Sequence, residues 1–298
     1  AMGTAQYTVE KAKTQKKVVV VGGGPGGMEA ARVAALRGHD VTLYEKTSQL
    51  GGLLALAALI KGIQLEDLPG MVRYLKTQVR KNGVKVKLGT EFTAAMVDEI
   101  KPDAIILATG GTLTMPDMAG VSSKKVVTTP ALHKQVKPFL RLLGPRLLGR
   151  LTKLWLPGMG RNVVVIGSGL HGFEVAEFLL KRGRKVTIVD TAETIGEGML
   201  DFRLGLVMDW LGRIGAEVLP ALKSIRITDE GVDIITPDGQ QRTIKADTVV
   251  PTSPLVPNTA LQESLEGKVP EIYAIGDCAE PNLIVHAIRA GWHTANSI

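Results

Sequence analysis

Residues 18–27, VVVVGGGPGG, decide the fold of this chain. The four β-branched valines are typical of a parallel strand that is buried on both faces, and residues 28–36 favour a helix. Gly22, Gly24 and Gly27 have the G-x-G-x-x-G spacing. The first glycine permits a tight turn, the second lets the backbone approach a pyrophosphate, and the third lets the helix pack against the strand. The stretch therefore predicts strand, turn and helix, with the phosphates of a dinucleotide at the helix N-terminus.

A carboxylate follows the next predicted strand, residues 41–44. Glu45 lies 18 residues beyond Gly27, where an acidic side chain can accept hydrogen bonds from an adenosine ribose. A glycine-rich turn alone is a weak signal. A strand before it, a helix after it and an acid at this distance make the signal specific.

Nearly the same pattern returns at residues 163–172, VVVIGSGLHG. Gly167, Gly169 and Gly172 repeat the glycine spacing, and Asp190 repeats the acid at the same distance from the last glycine. Two complete fingerprints predict two bound dinucleotides. A tightly held flavin dinucleotide and an exchangeable nicotinamide dinucleotide are the economical pair, because hydride can pass between their rings.

The composition fits two globular domains. The chain has 298 residues, of which 45% are hydrophobic, and no apolar run reaches the ~18 residues that a membrane span needs. Its single cysteine, Cys278, can form neither an internal disulfide nor a four-thiolate iron–sulfur site. With no signal peptide visible, we expect a cytoplasmic protein, and we interpret residues 1–3 as a cloning remnant.

The formal charge of +7 is unevenly distributed along the chain. Residues 118–173 contain nine basic residues and neither Asp nor Glu, so the rest of the chain is close to neutral. We therefore interpret the excess charge as a basic insert and expect no nucleic-acid partner.

Three further segments resemble the two-dinucleotide-fold flavoprotein reductases of the glutathione reductase type. LGGLL at 50–54 is similar to the family's turn around the flavin diphosphate. AIILATGG at 104–111 resembles its ATG strand and turn, and EIYAIGDCAEP at 271–281 resembles its GD motif. The resemblance implies FAD at the first fingerprint and NAD(P)H at the second.

The same resemblance implies the domain organisation. It predicts an α/β fold of two Rossmann-like dinucleotide-binding domains, glutathione-reductase-like, with the NAD domain inserted into the FAD domain. Residues 1–125 and 251–298 would form the FAD-binding domain. Residues 126–250 would form the NAD(P)H-binding domain, with the basic helical insert at 130–158.

The whole chain from about residue 8 also resembles the C-terminal half of old-yellow-enzyme-type reductases, the 2-enoate and 2,4-dienoyl-CoA reductase kind. Segments such as EDLPGMVRYLKTQV (66–79) and KVPEIYAIGDCAEP (268–281) carry this similarity. In that family an N-terminal barrel with FMN and a four-iron cluster reduces the substrate. The resemblance therefore implies an electron-input fragment or subunit whose partner is an FMN/Fe-S barrel domain or subunit.

The expected site residues fall into two sets, and no catalytic side chain or metal ligand is expected. The residues expected to hold FAD are Gly22, Gly24, Pro25, Gly26, Gly27, Glu45, Lys46, Gly51, Gly52, Leu53, Thr109, Gly110, Gly276 and Asp277. The residues expected to hold the nicotinamide dinucleotide are Gly167, Gly169, Leu170, His171, Gly172 and Asp190.

NADH is favoured over NADPH by the residues at the end of the second fingerprint. Asp190 would accept hydrogen bonds from a free 2′-hydroxyl and would repel a 2′-phosphate. The next residues, Thr191, Ala192 and Glu193, offer no arginine to hold a phosphate. Two other functions remain open: an adenine-nucleotide-binding structural module without FAD, and a free-standing reductase of a quinone or an electron carrier.

The basic insert has three interpretations. Its sequence breaks at Gly144-Pro145, after which Leu147, Leu148, Leu151, Leu154 and Trp155 share one face, opposite Arg146, Arg150 and Lys153. The insert could pack on its own domain or against the barrel, dock an acidic partner, or bind a membrane surface. Among the remaining basic residues, Arg182, Arg184 and Lys185 are expected to be solvated.

Overall fold

The computed structural model describes residues 8–61, 67–154, 156 and 158–298. The expected remnant at residues 1–3 and the expected position of Trp155 therefore lie outside the described residues. The strands are β1 Lys17–Val21, β2 Asp40–Glu45, β3 Lys85–Leu88, β4 Ala104–Leu107, β5 Gly111–Leu113, β6 Asn162–Ile166, β7 Lys185–Val189, β8 Glu217–Leu219, β9 Ser224–Ile227, β10 Gly231–Ile235, β11 Gln241–Lys245, β12 Thr248–Pro251, β13 Leu255–Pro257 and β14 Glu271–Ala274. The helices are α1 Pro25–Leu36, α2 Leu54–Lys61, α3 Leu68–Lys81, α4 Val97–Ile100, α5 Thr129–Leu154, α6 Leu170–Leu180, α7 Asp201–Ile214, α8 Ala260–Leu265 and α9 Ile284–Ser297.

The described residues form two compact units. Residues 8–55, 67–112 and 255–298 belong to the first unit, and residues 56–61 and 113–254 belong to the second. The chain therefore leaves the first unit and returns to it near its C-terminal end. The assignment of residues 1–125 and 251–298 to FAD and of 126–250 to the nicotinamide stays a prediction.

The first unit is built on a parallel five-stranded sheet with the order β14-β4-β1-β2-β3. Residues 18–20 of β1 have no exposed surface, as the all-valine run predicts. From β1 the chain continues to β2 and β3 on one side, whereas β4 and β14 lie on the other side. The strand order therefore reverses between β1 and β4, and ligands of open α/β sheets bind at the carboxyl end of such a switch point.

The second unit repeats this arrangement in a parallel four-stranded sheet with the order β12-β6-β7-β8. Its switch point lies between β6 and β12, at the carboxyl end of the strand that carries the second glycine turn. A three-stranded antiparallel sheet, β11-β10-β9, completes this unit. The predicted α/β fold with two Rossmann-like motifs is thereby confirmed.

The basic insert is the long helix α5, and it breaks where the sequence predicts. Gly144 has φ 71° and ψ 167°, and Pro145 follows it. Before the break, Leu132, Val136 and Leu140 are buried at a spacing of four residues. These three side chains on the first half of α5 are therefore covered within the fold.

Beyond the break, the expected apolar face is buried along one edge only. Leu148 and Thr152 are buried, whereas Leu147, Leu151 and Leu154 are 46%, 44% and 87% exposed. Of the leucines on this face, Leu148 is therefore covered by the fold and the other three are exposed to solvent.

The expectation that Arg182 is solvated is wrong. Its side chain is buried at the end of α6, 3.6 Å from the ring centroid of Phe178. Its guanidinium donates to the Phe178 carbonyl at 2.8 Å and to Thr152 Oγ1 at 2.9 Å, and this second bond ties α6 to α5. Burial lowers the pKa of Arg182 to about 10. The cation lies at a helix C-terminus, where the carbonyl groups and the dipole favour it.

Candidate functional site: two glycine turns at sheet switch points

The first glycine turn lies directly after β1, and at two of its positions the neighbouring backbone leaves no room for a Cβ. Gly22 has φ +108°, and a Cβ on it would lie 2.2 Å from the Ala108 carbonyl oxygen. A Cβ on Gly27 would lie 2.0 Å from the Gly22 carbonyl oxygen. Both distances are far below van der Waals contact, so the close approach of α1 to the end of β1 needs glycine at these two positions.

Gly24 differs from both of them. Its φ of −70° suits any residue, and a Cβ on it would meet no described atom within 4 Å. No contact among the described residues therefore explains the glycine. The N-terminus of α1 that follows has neither a side-chain cap from a described residue nor an acid in its first turn. Open space beside uncapped N–H groups is what a bound anion such as a pyrophosphate needs.

Glu45 ties the end of β2 to this turn. It is buried, Oε2 accepts a hydrogen bond from Gly23 N at 2.8 Å, and Oε1 accepts one from Thr47 N at 2.8 Å. A carboxylate has about four acceptor positions, so roughly two remain for ribose hydroxyls. The predicted ribose-binding acid thus also holds the turn in place.

The LGGLL segment lies against the same turn. Gly51 N donates to the Gly23 carbonyl at 2.8 Å, and a Cβ on Gly52 would lie 3.0 Å from Gly24 Cα. Leu53 is exposed beside them. Gly51 and Gly52 have φ of +128° and +55°, so the backbone bends here in a region that favours glycine. Lys46 is exposed at the start of this loop.

The neighbouring strand ends bring the remaining predicted residues to the same edge. Thr109 and Gly110 follow β4, and Gly276 and Asp277 form a 3₁₀ turn after β14, in the strand order β14-β4-β1. A Cβ on Gly111 would lie 3.4 Å from Asp277 Cβ, so these two ends are in contact. The Asp277 carboxylate accepts a hydrogen bond from Asn282 N at 3.2 Å.

Pro25 and Gly26, also predicted to bind FAD, have roles within the fold. Pro25 is the first residue of α1, a position that suits its fixed φ and missing N–H. A Cβ on Gly26 would lie 2.8 Å from the Ala287 carbonyl oxygen, and one on Gly291 would lie 2.3 Å from the Gly26 carbonyl oxygen. Glycine at 26 and 291 therefore lets α1 and α9 pack closely.

The second glycine turn repeats this pattern after β6. Gly167 has φ +108° and room for no Cβ beside Thr252, and a Cβ on Gly172 would lie 1.9 Å from the Gly167 carbonyl oxygen. Gly169 has φ −78°, and its Cβ would make only an ordinary 3.5 Å contact with the Glu197 carbonyl oxygen. As in the first turn, the fold requires the outer two glycines and leaves the middle one unexplained.

Asp190 is held more firmly than Glu45, through a residue that the sequence reasoning missed. Its Oδ2 accepts from Ser168 N at 2.5 Å and from Ser168 Oγ at 2.7 Å, and its Oδ1 accepts from Ala192 N at 3.0 Å. Three of about four acceptor positions are therefore occupied, which leaves roughly one for a ribose hydroxyl.

Gly196 is a second missed residue, and it occupies the place that Gly51 has in the first unit. Gly196 N donates to the Ser168 carbonyl at 2.7 Å. A spacing in the sequence could have revealed it. Gly196 lies six residues beyond Asp190, as Gly51 lies six residues beyond Glu45.

Leu170 and His171, also predicted to contact the nicotinamide dinucleotide, begin α6. Leu170 N already donates to the Glu197 carbonyl at 2.8 Å. His171 is an electrostatic neighbour of His133 on α5. Burial, reinforced by the charges of Lys137 and His171, lowers the pKa of His133 to about 4, so this imidazole is neutral at pH 7.

Neither a pair of thiols nor a cluster of metal-ligating side chains is found among the described residues. Cys278 is buried, with Sγ 3.1 Å from the Leu107 carbonyl oxygen, and it is the chain's only thiol. Across the described ranges no group of three or more His, Cys, Asp or Glu side chains could hold a metal ion, and no helix is long and apolar enough to cross a membrane.

The fold and the two glycine turns are typical of proteins that bind dinucleotides, and the comparison with known sequences assigns the family. The profile of the pyridine nucleotide-disulphide oxidoreductase family matches residues 16–291. The chain belongs to this family. Membership makes it an oxidoreductase and implies a flavin and a nicotinamide dinucleotide as cofactors.

Individual relatives are longer than this chain. NADH oxidase of Thermoanaerobacter brockii is 32% identical over 96% of this chain and 42% of its own length. Cinnamate reductase of Clostridium sporogenes is 29% identical over 98% of this chain and 41% of its own length. The solved structure of 2-naphthoyl-CoA reductase with 2-naphthoyl-CoA superposes with a TM-score of 0.82 and 32% identity, over 99% of this chain and 41% of that one. The chain thus spans about two fifths of these relatives, and the predicted resemblance to longer reductases is confirmed.

Proposed function

We propose that this chain is the electron-input module of an NADH-dependent reductase, with FAD at the first glycine turn and NADH at the second. Electrons would pass onward to an FMN/Fe-S ene-reductase barrel that lies outside this chain. The names of the longer relatives, cinnamate reductase and 2-naphthoyl-CoA reductase, support an acceptor with an activated C=C bond.

The observation that carries the proposal is the open middle glycine of both turns. Gly24 and Gly169 lie at switch points, precede helix N-termini without a side-chain cap, and have no steric reason among the described residues to be glycine. A pyrophosphate that approaches the backbone supplies that reason at both turns. The presence of the same arrangement in each unit supports one dinucleotide per unit.

Each residue has a defined task in this proposal. Helix α1 would hold the FAD diphosphate, Glu45 its adenosine ribose, the Gly51-Gly52 bend its phosphate oxygens, and Asp277 the ribityl chain, as the family resemblance implies. Helix α6 and Asp190 would hold NADH in the corresponding way. When both are bound, the nicotinamide supplies a hydride and the flavin accepts it. The side chains contribute placement and charge, and none is required as an acid, base or nucleophile.

Preference for NADH rests on the firmly held Asp190 carboxylate. Ser168 and Ala192 fix its position and leave roughly one acceptor position, which suits a ribose 2′-hydroxyl. A 2′-phosphate would bring negative charge against this carboxylate and towards Glu193, which is exposed in the loop that follows it.

The test is an anaerobic titration of the purified chain, loaded with FAD, with NADH and separately with NADPH, while the visible flavin spectrum is recorded. Bleaching by a near-stoichiometric amount of NADH, and weaker bleaching by NADPH, is the expected result. A protein that neither retains nor rebinds FAD would be an adenine-nucleotide-binding structural module instead. Rapid steady turnover with a quinone and no added partner would identify a free-standing reductase.

A further inference from the structure

The second half of α5 exposes three leucines to solvent. Leu147, Leu151 and Leu154 lie at i, i+4 and i+7, on one face of the helix, and Leu154 is 87% exposed. The buried edge of the same helix, Leu148 and Thr152, lies beside this stripe. The three exposed leucines therefore lie next to the buried side of the helix and do not belong to it.

The first half of α5 also exposes large apolar side chains. Phe139 and Leu142 are 57% and 82% exposed, although Val136 and Leu140 on the same half are buried. We call Phe139, Leu142, Leu147, Leu151 and Leu154 the α5 apolar surface. Five large apolar side chains exposed on one helix exceed the singly scattered apolar residues that are normal on a protein surface, and exposed apolar surface of this kind indicates a binding site.

The charged residues of α5 itself are all basic. Lys134, Arg150 and Lys153 are exposed on the same helix. Residues 118–173 contain no Asp or Glu, so no carboxylate of this segment offsets them. The occupant of this surface must therefore be apolar where it meets the leucines and negatively charged around them.

We propose that the α5 apolar surface binds the surface of an anionic phospholipid bilayer. Leucine and phenylalanine flanked by Lys and Arg are typical of helices that lie in the membrane interface with the apolar side chains among the acyl chains. Protein interfaces are also enriched in Phe and Arg, but their cores are depleted of Lys, and leucine is under-represented among the residues that carry their binding energy. A second copy of the chain would bring two basic segments together, which like charges oppose.

The first experiment is co-sedimentation of the full chain with vesicles of phosphatidylcholine alone and of phosphatidylcholine mixed with phosphatidylglycerol. Binding to the mixed vesicles at low salt, with loss of binding at high salt, is the expected result. No binding to the mixed vesicles at low salt would overturn the proposal. Equal binding to both kinds of vesicle would overturn the anionic part of it.

Two double variants locate the surface, each with a matched control. Leu151→Gln with Leu154→Gln should weaken vesicle binding at least about tenfold. Its control, Phe202→Gln with Leu206→Gln, removes two exposed apolar side chains from α7 and should leave binding unchanged. Equal loss in variant and control would place membrane binding elsewhere and overturn the proposal.

A second double variant tests, in the same way, the basic residues that flank the α5 apolar surface. Arg150→Glu with Lys153→Glu should weaken binding at least about tenfold. Arg80→Glu with Lys81→Glu makes the same change in net charge at exposed positions of α3 and should have a much smaller effect. Circular dichroism and NADH titration of every variant verify the fold and the nucleotide sites.

Two further outcomes would assign the surface to another occupant and overturn the membrane proposal. Binding to soluble poly-glutamate as tight as to the mixed vesicles, and insensitive to the leucine variant, would indicate an acidic protein partner. A concentration-dependent dimer that the leucine variant abolishes, without vesicle binding, would indicate a second copy of this chain.

Discussion

The middle and last glycines of the second turn should respond differently to the same small substitution. In Gly172→Ala the new Cβ would lie 1.9 Å from the Gly167 carbonyl oxygen, so the helix α6 must shift to accommodate it. Overpacking of this kind costs about 1–3 kcal/mol, and the better helix propensity of alanine offsets at most ~1 kcal/mol. An overlap at 1.9 Å belongs at the upper end of that range, so the net loss is about 2 kcal/mol and the melting temperature of Gly172→Ala should fall by roughly 4–8 °C.

Gly169→Ala should leave stability almost unchanged and still impair nucleotide binding. At φ −78° and with a nearest contact of 3.5 Å, alanine fits the folded chain. The smaller entropy of its unfolded state adds about 0.4–1 kcal/mol, and the weaker N-cap preference of alanine removes a similar amount. The added methyl group would occupy the space that the pyrophosphate needs, so affinity for NAD⁺ should fall at least about tenfold.

Thermal unfolding without nucleotide and calorimetric titration with NAD⁺ measure the two effects separately. NAD⁺ is used because it binds without reducing the flavin. If Gly169→Ala binds NAD⁺ as tightly as the parent chain, the backbone at this turn does not contact a pyrophosphate and the proposed site is refuted. Equal melting temperatures of Gly172→Ala and Gly169→Ala would refute the steric requirement for glycine at 172.

Three further predictions concern the acid, an imidazole and a helix contact. Asp190→Ala should lower the preference for NADH over NADPH at least about tenfold, measured as the ratio of kcat/KM values, and an unchanged ratio would contradict the proposed role. His133 has a folded pKa of about 4, below its ordinary value of 6.5, so the stability it contributes is complete above pH 6.5 and is lost as pH falls towards 4. The free energy of unfolding, measured with urea, falls between pH 7 and pH 4, and this fall should be about 1–3 kcal/mol smaller for His133→Gln than for the parent chain. An equal fall in both proteins would argue against a neutral imidazole that is held away from water. Gly291→Ala should destabilise the first unit by about 1–3 kcal/mol, because its Cβ would lie 2.3 Å from the Gly26 carbonyl oxygen. A higher melting temperature for Gly291→Ala than for the parent chain would contradict this prediction.

The regular elements follow from local patterns, which is why the sequence predicts them well. The helix predicted over residues 28–36 lies within α1, Pro25–Leu36, and the strand predicted at 41–44 lies within β2, Asp40–Glu45. β-branched runs, glycine at helix ends and the fingerprint spacing all act within a few residues, so one sequence contains the whole signal.

Local sequence patterns do not predict contacts between segments that are far apart along the chain. Arg182 resembles a solvated residue because its partner Thr152 lies 30 positions away and Phe178 stacks on it only in the folded chain. The same limit applies to the leucine face of α5. Periodicity shows that Leu148 and Leu151 share a face, but it does not show which of them is buried in the folded chain. The hydrogen bonds from Ser168 to Asp190 could not be predicted for another reason: the G-x-G-x-x-G spacing accepts any residue at position 168.

The return of the chain to its first sheet has a consequence for folding. The edge strand β14 pairs with β4, and in register Glu271 lies beside Ala104, although more than 160 residues separate them along the chain. During synthesis from the N-terminus, the whole of 113–254 is made before β14 and α9 exist. The second unit can therefore fold early, while the first sheet lacks its edge strand and α1 lacks the helix that packs on Gly26. The first unit can therefore be completed only after β14 and α9 have been made, and we infer that this completion is the last step of folding during synthesis.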